Sequence, residues 1–240
     1  MKLIKHQRVS SSISDAAVNL STIGFFQVVQ DAATELMGKL NIDGVTIKKE
    51  YNSVWLFVKT RLNFFKDIPW RSESDFTVTA FISVITRAKL CVDVSIKDST
   101  NQLCAYARIE MCALDLSTMR IRRIDTVGVT DNIQTETPET EITFTQFDCT
   151  ALPEVDSVQV RSTNIDMSQH TNNVEYIRFI LNTYTVKQLQ ERKIREMEIK
   201  YINQSYEKDI LTIHKASLDD KDLFLITKGD QDVVKCEVVF

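Results

Sequence analysis

A run of small polar residues and one histidine precedes a helical pattern in the second half of the chain. The segment "NIDMSQHTNNVEYIRFIL" spans 164–181 and spaces Asp166, Ser168 and His170 two positions apart. A carboxylate can orient an imidazole or accept a proton, an imidazole transfers protons near neutral pH, and a hydroxyl donates or accepts a hydrogen bond. These residue types at this spacing therefore make the segment a candidate site for general acid–base chemistry.

Two other interpretations of the same residues stay open. A helix leaves its first four N–H groups without intrahelical partners, and Asp, Ser and Asn side chains accept hydrogen bonds from them. Capping explains one or two of the polar residues, with His170 facing solvent. Ser168, His170 and Asp166 also contain the residue types of a serine triad, but three residues within five positions of one loop rarely reach triad geometry.

The candidate site lies in the second copy of a repeated plan. Apolar residues spaced by three and four predict helices over 23–40 and 173–190, each after a short strand. Extended segments rich in β-branched and aromatic residues follow both helices. The predicted strands are 53–65, 75–88, 90–98 and 103–115 in the first half, and 156–165, 193–202, 209–217, 222–229 and 232–240 in the second. The repeated order predicts a tandem duplication.

A shift of 151 positions superimposes the two copies. It aligns Asp166 with Asp15 but His170 with Asn19, so the scaffold repeats while the histidine does not. Residues 126–153, rich in Thr and acidic residues, predict a linker. We therefore expect domains at 1–125 and 154–240, with the chemistry in the second.

Composition excludes several classes of protein. The net charge of -4 argues against nucleic acid as the main partner, because phosphate binding depends on Lys and Arg. Five cysteines without CxxC spacing predict neither a disulfide framework nor a zinc site, and they are expected to be reduced and buried. The chain shows no signal-peptide pattern and no apolar run long enough to span a membrane, so a bacterial cytoplasmic protein is expected.

The polar segment resembles a known family. The pattern D-x-N-x-H-x-N-N-x-x-Y at a helix start is characteristic of acyl-acyl carrier protein thioesterases of the plant and bacterial type. This sequence matches it through Asp166, His170, Asn172, Asn173 and Tyr176. "QDAATELMGKLNID", "SVWLFVKTRLNFFKDIPWRSESDFTVTAF" and "ARIEMCALDLSTMRIRRI" also look like the first half of that family.

The resemblance implies an α+β tandem (double) hotdog, in which each hotdog is a long central helix wrapped by a curved antiparallel sheet. It implies hydrolysis of fatty acyl-acyl carrier protein thioesters, which terminates fatty acid synthesis, without a metal or organic cofactor. Acyl carrier protein would be the partner, with no nucleic acid and no membrane span, and the chain would be a monomer or homodimer. An acyl-CoA thioesterase and a catalytically impaired acyl-binding protein are the alternatives.

The resemblance also assigns positions to the reaction. Asp166 and His170 match the catalytic pattern, whereas Ser168 stands at its Asn position and Gln204 at its Glu position. Because glutamine cannot accept a proton from water, we expect Asp166 and His170 to activate the water and Gln204 to position it. The substrate would contact Asn172, Asn173, Trp55 and Phe57, with the acyl chain in the first hotdog.

Acyl carrier proteins are acidic, so a basic docking face is expected despite the negative total charge. Candidates are the basic residues of "MRIRR" and "QERKIR", namely Arg120, Arg122, Arg123, Arg192, Lys193 and Arg195.

Overall fold

The structure, a computed structural model, describes residues 1–71, 75–130 and 132–240. These residues form two compact units, Met1–Thr143 and Phe144–Phe240. The boundary between the units falls inside the segment expected to be the linker. The domain limits expected at 125 and 154 stay a prediction.

The first unit combines an antiparallel sheet with two helices. The strands are β1 (Lys2–Arg8), β2 (Ser53–Phe64), β3 (Asp75–Ile85), β4 (Leu90–Asp98), β5 (Leu103–Asp115) and β6 (Ile121–Arg122), and the helices are α1 (Thr22–Lys39) and α2 (Gly44–Tyr51). The sheet order is β1-β3-β4-β5-β2, and β6 pairs with β5.

Helix α1 is the central element of the first unit. It begins where the Ser21 hydroxyl accepts a hydrogen bond from the Gly24 N–H, which satisfies one N–H of the first turn. Its buried face, which includes Phe26, Val29 and Leu36, packs against β1, β3 and β4. Burying this face stabilises the helix more than its intrinsic propensity does.

The second unit repeats the arrangement. Its strands are β7 (Glu154–Gln159), β8 (Glu196–Tyr201), β9 (Ile210–Ser217), β10 (Lys221–Lys228) and β11 (Gln231–Val239), and its helices are α3 (Asn173–Leu181) and α4 (Val186–Glu191). The sheet order is β8-β11-β10-β9-β7, antiparallel throughout. A helix against an antiparallel sheet, present twice, confirms the predicted α+β tandem hotdog.

The boundaries of two predicted elements were wrong. The helix predicted over 173–190 is split into α3 and α4, because the Thr185 hydroxyl accepts from the Gln188 N–H and starts a new helix. The strand predicted over 156–165 ends at Gln159, and Ser162–Asn164 form a 3-10 turn.

Two expectations drawn from composition can be compared with the structure. All five cysteines are free thiols and buried, as predicted. Within the described residues, no helix combines the length and the apolar character needed to cross a membrane.

Candidate active site

Four of the predicted site residues, Asp166, Ser168, His170 and Asn172, lie in a tight loop at residues 165–172, called here the His170 loop. Ile165 and Thr171 form an antiparallel bridge that closes it. Inside the loop, the Asp166 N–H donates to the His170 carbonyl at 3.1 Å, and the Gln169 N–H donates to the Asp166 carbonyl at 3.0 Å. Gln169 adopts a φ of 67°, which reverses the chain direction. The loop therefore holds Asp166 and His170 at its two ends.

The Asp166 side chain is directed at the loop backbone. Its Oδ1 accepts a hydrogen bond from the Ser168 N–H at 2.7 Å, an Asx turn that fixes the loop. The Ser168 side chain is exposed, and Asp166 is half-buried. A serine triad needs its carboxylate on the imidazole, so this contact with the Ser168 amide argues against a triad.

The His170 ring is half-buried, and its Nδ1 lies 3.3 Å from the carbonyl oxygen of Thr171. A neutral imidazole that donates from Nδ1 to this carbonyl keeps the lone pair of Nε2 available to accept a proton. The contact therefore suits the tautomer that has its proton on Nδ1.

Gln204 lies in the loop between β8 and β9, residues 202–209, called here the Gln204 loop. The two loops are joined because the Thr171 N–H donates to the Ser205 carbonyl at 2.8 Å. The residues preceding this pair are His170 and Gln204, so the structure brings the two loops that carry them together. Gln204 is exposed, and its Oε1 accepts from the Tyr206 hydroxyl at 3.1 Å.

The start of α3 is capped by the chain itself. Asn172 Oδ1 accepts from the Val174 N–H, and the Asn172 carbonyl accepts from the Glu175 N–H, both at 2.9 Å. The Asn164 amide also donates to the Glu175 carboxylate at 2.7 Å. Two N–H groups of this helix end are therefore already bonded. Asn172 acts as the N-cap, and the half-buried Asn173 is the first helical residue.

Trp55 and Phe57 lie on β2 of the first unit, and both are half-buried. The Trp55 indole N–H donates to the Ile42 carbonyl at 2.6 Å, which joins β2 to the connection between α1 and α2. A register shift in the β2–β5 pairing follows Phe57. Their expected contact with substrate stays a prediction.

The first unit contains a loop of the same structure, but with Ala17 and Asn19 in place of Ser168 and His170. Ser14 and Leu20 form the closing bridge, and the Asp15 N–H donates to the Asn19 carbonyl at 2.8 Å. Asp15 Oδ1 accepts from the Ala17 N–H at 2.9 Å, as Asp166 does from Ser168. The shift of 151 positions therefore relates two equal loop structures. The fold of the loop requires neither a serine nor a histidine at these positions.

Most of the expected docking arginines bind within their own unit. Arg122 donates to the Tyr51 carbonyl at 2.7 Å, and Arg123 pairs with Asp125. Arg192 lies 3.5 Å from an Asp222 oxygen, and Arg195 donates to the carbonyl of Phe240. Arg120 is exposed.

Sequence reasoning missed two contacts of the candidate site. The Thr171 N–H joins the His170 and Gln204 loops, and the Tyr206 hydroxyl donates to Gln204. One signal was present: Thr171 aligns with Leu20 in the other copy, a polar residue at a position that is apolar there. For Tyr206 the sequence offers no such contrast, because its role depends on one side-chain contact.

Each of the two units has a helix packed on an antiparallel sheet, and the His170 loop lies at the start of one helix. This arrangement defines a tandem hotdog protein. Residues 150–239 match the family model described as the acyl-ACP thioesterase C-terminal domain. This match confirms the resemblance to the acyl-ACP thioesterases that the sequence predicts. The family is one of thioester hydrolases.

Solved structures show the same fold over the whole chain. An acyl-ACP thioesterase from Bacteroides thetaiotaomicron VPI-5482 matches with a TM-score of 0.91 and 17% identity, covering 100% of this chain and 97% of that one. A 12:0-ACP thioesterase from Umbellularia californica matches with a TM-score of 0.83 and 13% identity, covering 99% of this chain and 96% of that one. No curated protein sequence matches the chain.

Proposed function

We propose that this protein hydrolyses the thioester between a fatty acyl chain and acyl carrier protein, and so ends chain extension by releasing free fatty acid. The observation that carries the proposal is the junction of the His170 and Gln204 loops at the start of α3, in the part of the chain that matches the thioesterase family model. Acyl carrier protein is proposed as the partner because two solved structures of this fold are named for it.

His170 is the proposed general base. Its Nε2 removes a proton from a water molecule while the water oxygen attacks the thioester carbonyl carbon. When the carbon–sulfur bond of the tetrahedral intermediate breaks, the imidazolium returns that proton to the leaving thiolate. Asp166, at the other end of the same loop, is proposed to act with His170 in activating the water.

The carbonyl oxygen becomes negative in the intermediate and needs hydrogen-bond donors. Because the Oε1 atom of Gln204 is bonded to Tyr206, its amide nitrogen is the group left to donate, and we assign it to this oxygen. The positive end of the α3 dipole favours the same charge. This differs from the expectation that Gln204 positions the water, since a donor stabilises an oxyanion better than it assists a nucleophile.

The remaining predicted residues are proposed to hold water and substrate. The exposed Ser168 hydroxyl can bond the attacking water in place of the family's Asn. Asn173 at the helix start would contact the polar end of the substrate, and Trp55 and Phe57 would contact the acyl chain.

The proposal is tested by thiol release from acyl carrier protein thioesters of eight to eighteen carbons, for wild type and His170→Ala. Removal of a general base costs about 10² to 10⁴ in rate, so the variant should lose at least 99% of kcat. His6→Ala is the control, because His6 is exposed on β1 and bonds only to Thr77 among the contacts described. Hydrolysis by His170→Ala within about threefold of wild type contradicts the assignment of the base.

The same panel distinguishes the alternatives. Faster hydrolysis of acyl-CoA than of acyl carrier protein thioesters of equal chain length identifies a CoA thioesterase. Acyl binding without thiol release from either carrier identifies an acyl-binding protein and overturns the proposed function.

A further inference from the structure

A buried chain of hydroxyl groups lies beneath the candidate site. Ser205, Thr171 and Tyr176 are 0%, 1% and 3% exposed. Ser205 Oγ lies 2.7 Å from Thr171 Oγ1 and 2.8 Å from the Tyr176 oxygen. The Thr171 hydroxyl also donates to the Ser205 carbonyl at 3.0 Å, and the Ser205 N–H donates to the Tyr176 oxygen at 3.2 Å.

The direction of each hydrogen bond follows from counting protons. Each hydroxyl has one proton, and that of Thr171 goes to the Ser205 carbonyl. Ser205 must therefore donate to Thr171, and Tyr176 must donate to Ser205. This single arrangement satisfies every contact, and burial raises the pKa of Tyr176, which keeps its proton in place at neutral pH.

The three residues join the three elements that form the site. Thr171 follows His170, Ser205 follows Gln204, and Tyr176 lies in the first turn of α3. Because hydrogen bonds are directional, this set of contacts fixes the offset between the two loops and the helix start more narrowly than apolar packing can.

The first unit shows that the fold does not require these hydroxyls. There the Leu20 N–H donates to the Ile68 carbonyl at 2.8 Å, as the Thr171 N–H does to Ser205. The residues in the corresponding places are Leu20, Ile68 and Phe25, all buried and all apolar. Burying hydroxyl groups costs free energy unless each is bonded. Their presence only beside His170 therefore indicates a role in that site.

We infer that the hydroxyl chain of Thr171, Ser205 and Tyr176 positions His170 and Gln204 for catalysis. The three are positioning residues, since their hydroxyls act through their neighbours and do not touch the substrate. The inference rests on the proposed function for its catalytic part, whereas the effect on His170 can be measured without turnover.

The variants are chosen to remove single hydroxyls with little change of shape. Thr171→Val and Tyr176→Phe each delete one, and Thr171→Ser keeps the hydroxyl as the conservative replacement. Tyr184→Phe is the matched control: Tyr184 is another buried tyrosine of the second unit, whose hydroxyl donates to Asp222 at 2.6 Å. Thermal unfolding of each variant shows that it is folded.

The first readout is the NMR signal of the histidine rings. The chain has three histidines, and the His170 signal is assigned by its loss in His170→Ala. We expect the NMR chemical shifts of the His170 ring to change in Thr171→Val and Tyr176→Phe but not in Thr171→Ser or Tyr184→Phe. His6 and His214 serve as internal references. An unchanged His170 signal in both hydroxyl-deleting variants overturns the inference.

The second readout is hydrolysis of acyl carrier protein thioesters. A displacement of catalytic groups by a fraction of an ångström should lower kcat about tenfold with KM nearly unchanged, and Thr171→Ser should recover most of it. If both deletions keep kcat within about twofold of wild type, the chain is structural only and the inference is wrong. A wild type that releases no thiol contradicts the proposed function instead, and the NMR comparison then still decides whether the hydroxyls position His170.

Discussion

At the scale of single residues, the chemistry of the candidate site depends on which protons each side chain can give or take. His170 has its Nδ1 near a carbonyl oxygen, which suits Nε2 for accepting a proton. Gln204 cannot accept one at neutral pH, and the Tyr206 hydroxyl occupies its oxygen. Under the proposed function the two side chains are complementary, with His170 as the base and Gln204 as the hydrogen-bond donor. An amide at this position fits stabilisation of an oxyanion and does not fit activation of water.

Replacing Gln204 distinguishes these roles. Gln204→Glu preserves size but removes the donor at neutral pH and adds negative charge, so kcat should fall by about 10² or more, as for loss of one oxyanion donor. The kcat of Gln204→Ala should fall comparably. The kcat of Tyr206→Phe should fall less, because only the orientation of the Gln204 amide is loosened. The measurement is kcat with one acyl carrier protein thioester at pH 7. A higher kcat in Gln204→Glu contradicts the donor role and shows that the position serves a general base.

Sequence reasoning at this scale rested on comparing the two copies. His170 stood out because Asn19 occupies its place in the first copy. The contact between Thr171 and Ser205 could not be predicted, because it joins residues 34 positions apart and depends on how two loops meet. The bonded oxygen of Gln204 is also a property of the folded loop, not of the residue.

At the scale of elements, a buried ion pair in the first unit holds the segment that follows the sheet. Asp93 is fully buried on β4 and accepts two hydrogen bonds from Arg108, each at 2.7 Å. Arg108 also donates to the Ile142 carbonyl at 2.8 Å, and the Tyr106 hydroxyl bonds both Asp93 and the Glu139 N–H. The ion pair therefore fixes residues 139–142 on the face of β4 and β5.

Breaking this ion pair from one side should be costly. Arg108→Met leaves the Asp93 carboxylate buried without its main partner, and the expected loss of unfolding free energy is about 3 to 5 kcal/mol. The double variant Asp93→Asn with Arg108→Met should lose less unfolding free energy than the sum of the losses in the two single variants, since no uncompensated charge remains. Urea unfolding measures all three variants. A loss below about 1 kcal/mol for Arg108→Met contradicts the role of the pair.

Helices and strands were predictable where one hydrophobic period continues along the sequence. They were less predictable where a helix cap interrupts that period. The helix predicted over 173–190 contained a break, because Thr185 and Gln188 form a capping box that starts α4. Helix α2 went without a prediction, since it has eight residues and one buried side chain. Strand positions were closer, because β-branched residues and turn chemistry mark both ends.

At the scale of the whole molecule, the net charge of -4 opposes association with an acidic carrier protein. Docking then requires a local positive surface. Four arginines expected to provide it, Arg122, Arg123, Arg192 and Arg195, instead bind carbonyl or carboxylate groups of their own unit. Arg120 is exposed and has no side-chain contact among those described, so it is the strongest remaining candidate.

Charge reversal at Arg120 tests this directly. Arg120→Glu should raise KM for acyl carrier protein thioesters several-fold while leaving kcat and the hydrolysis of small thioesters unchanged, because only docking is affected. The increase in KM should become smaller as the salt concentration rises, because salt screens the charges: the Debye length is about 10 Å at 0.1 M ionic strength. Lys49→Glu is the matched control: it changes the total charge equally, in the same unit, at a side chain that is 81% exposed. Equal effects of the two variants would indicate total charge, and no effect of Arg120→Glu would place the docking face elsewhere.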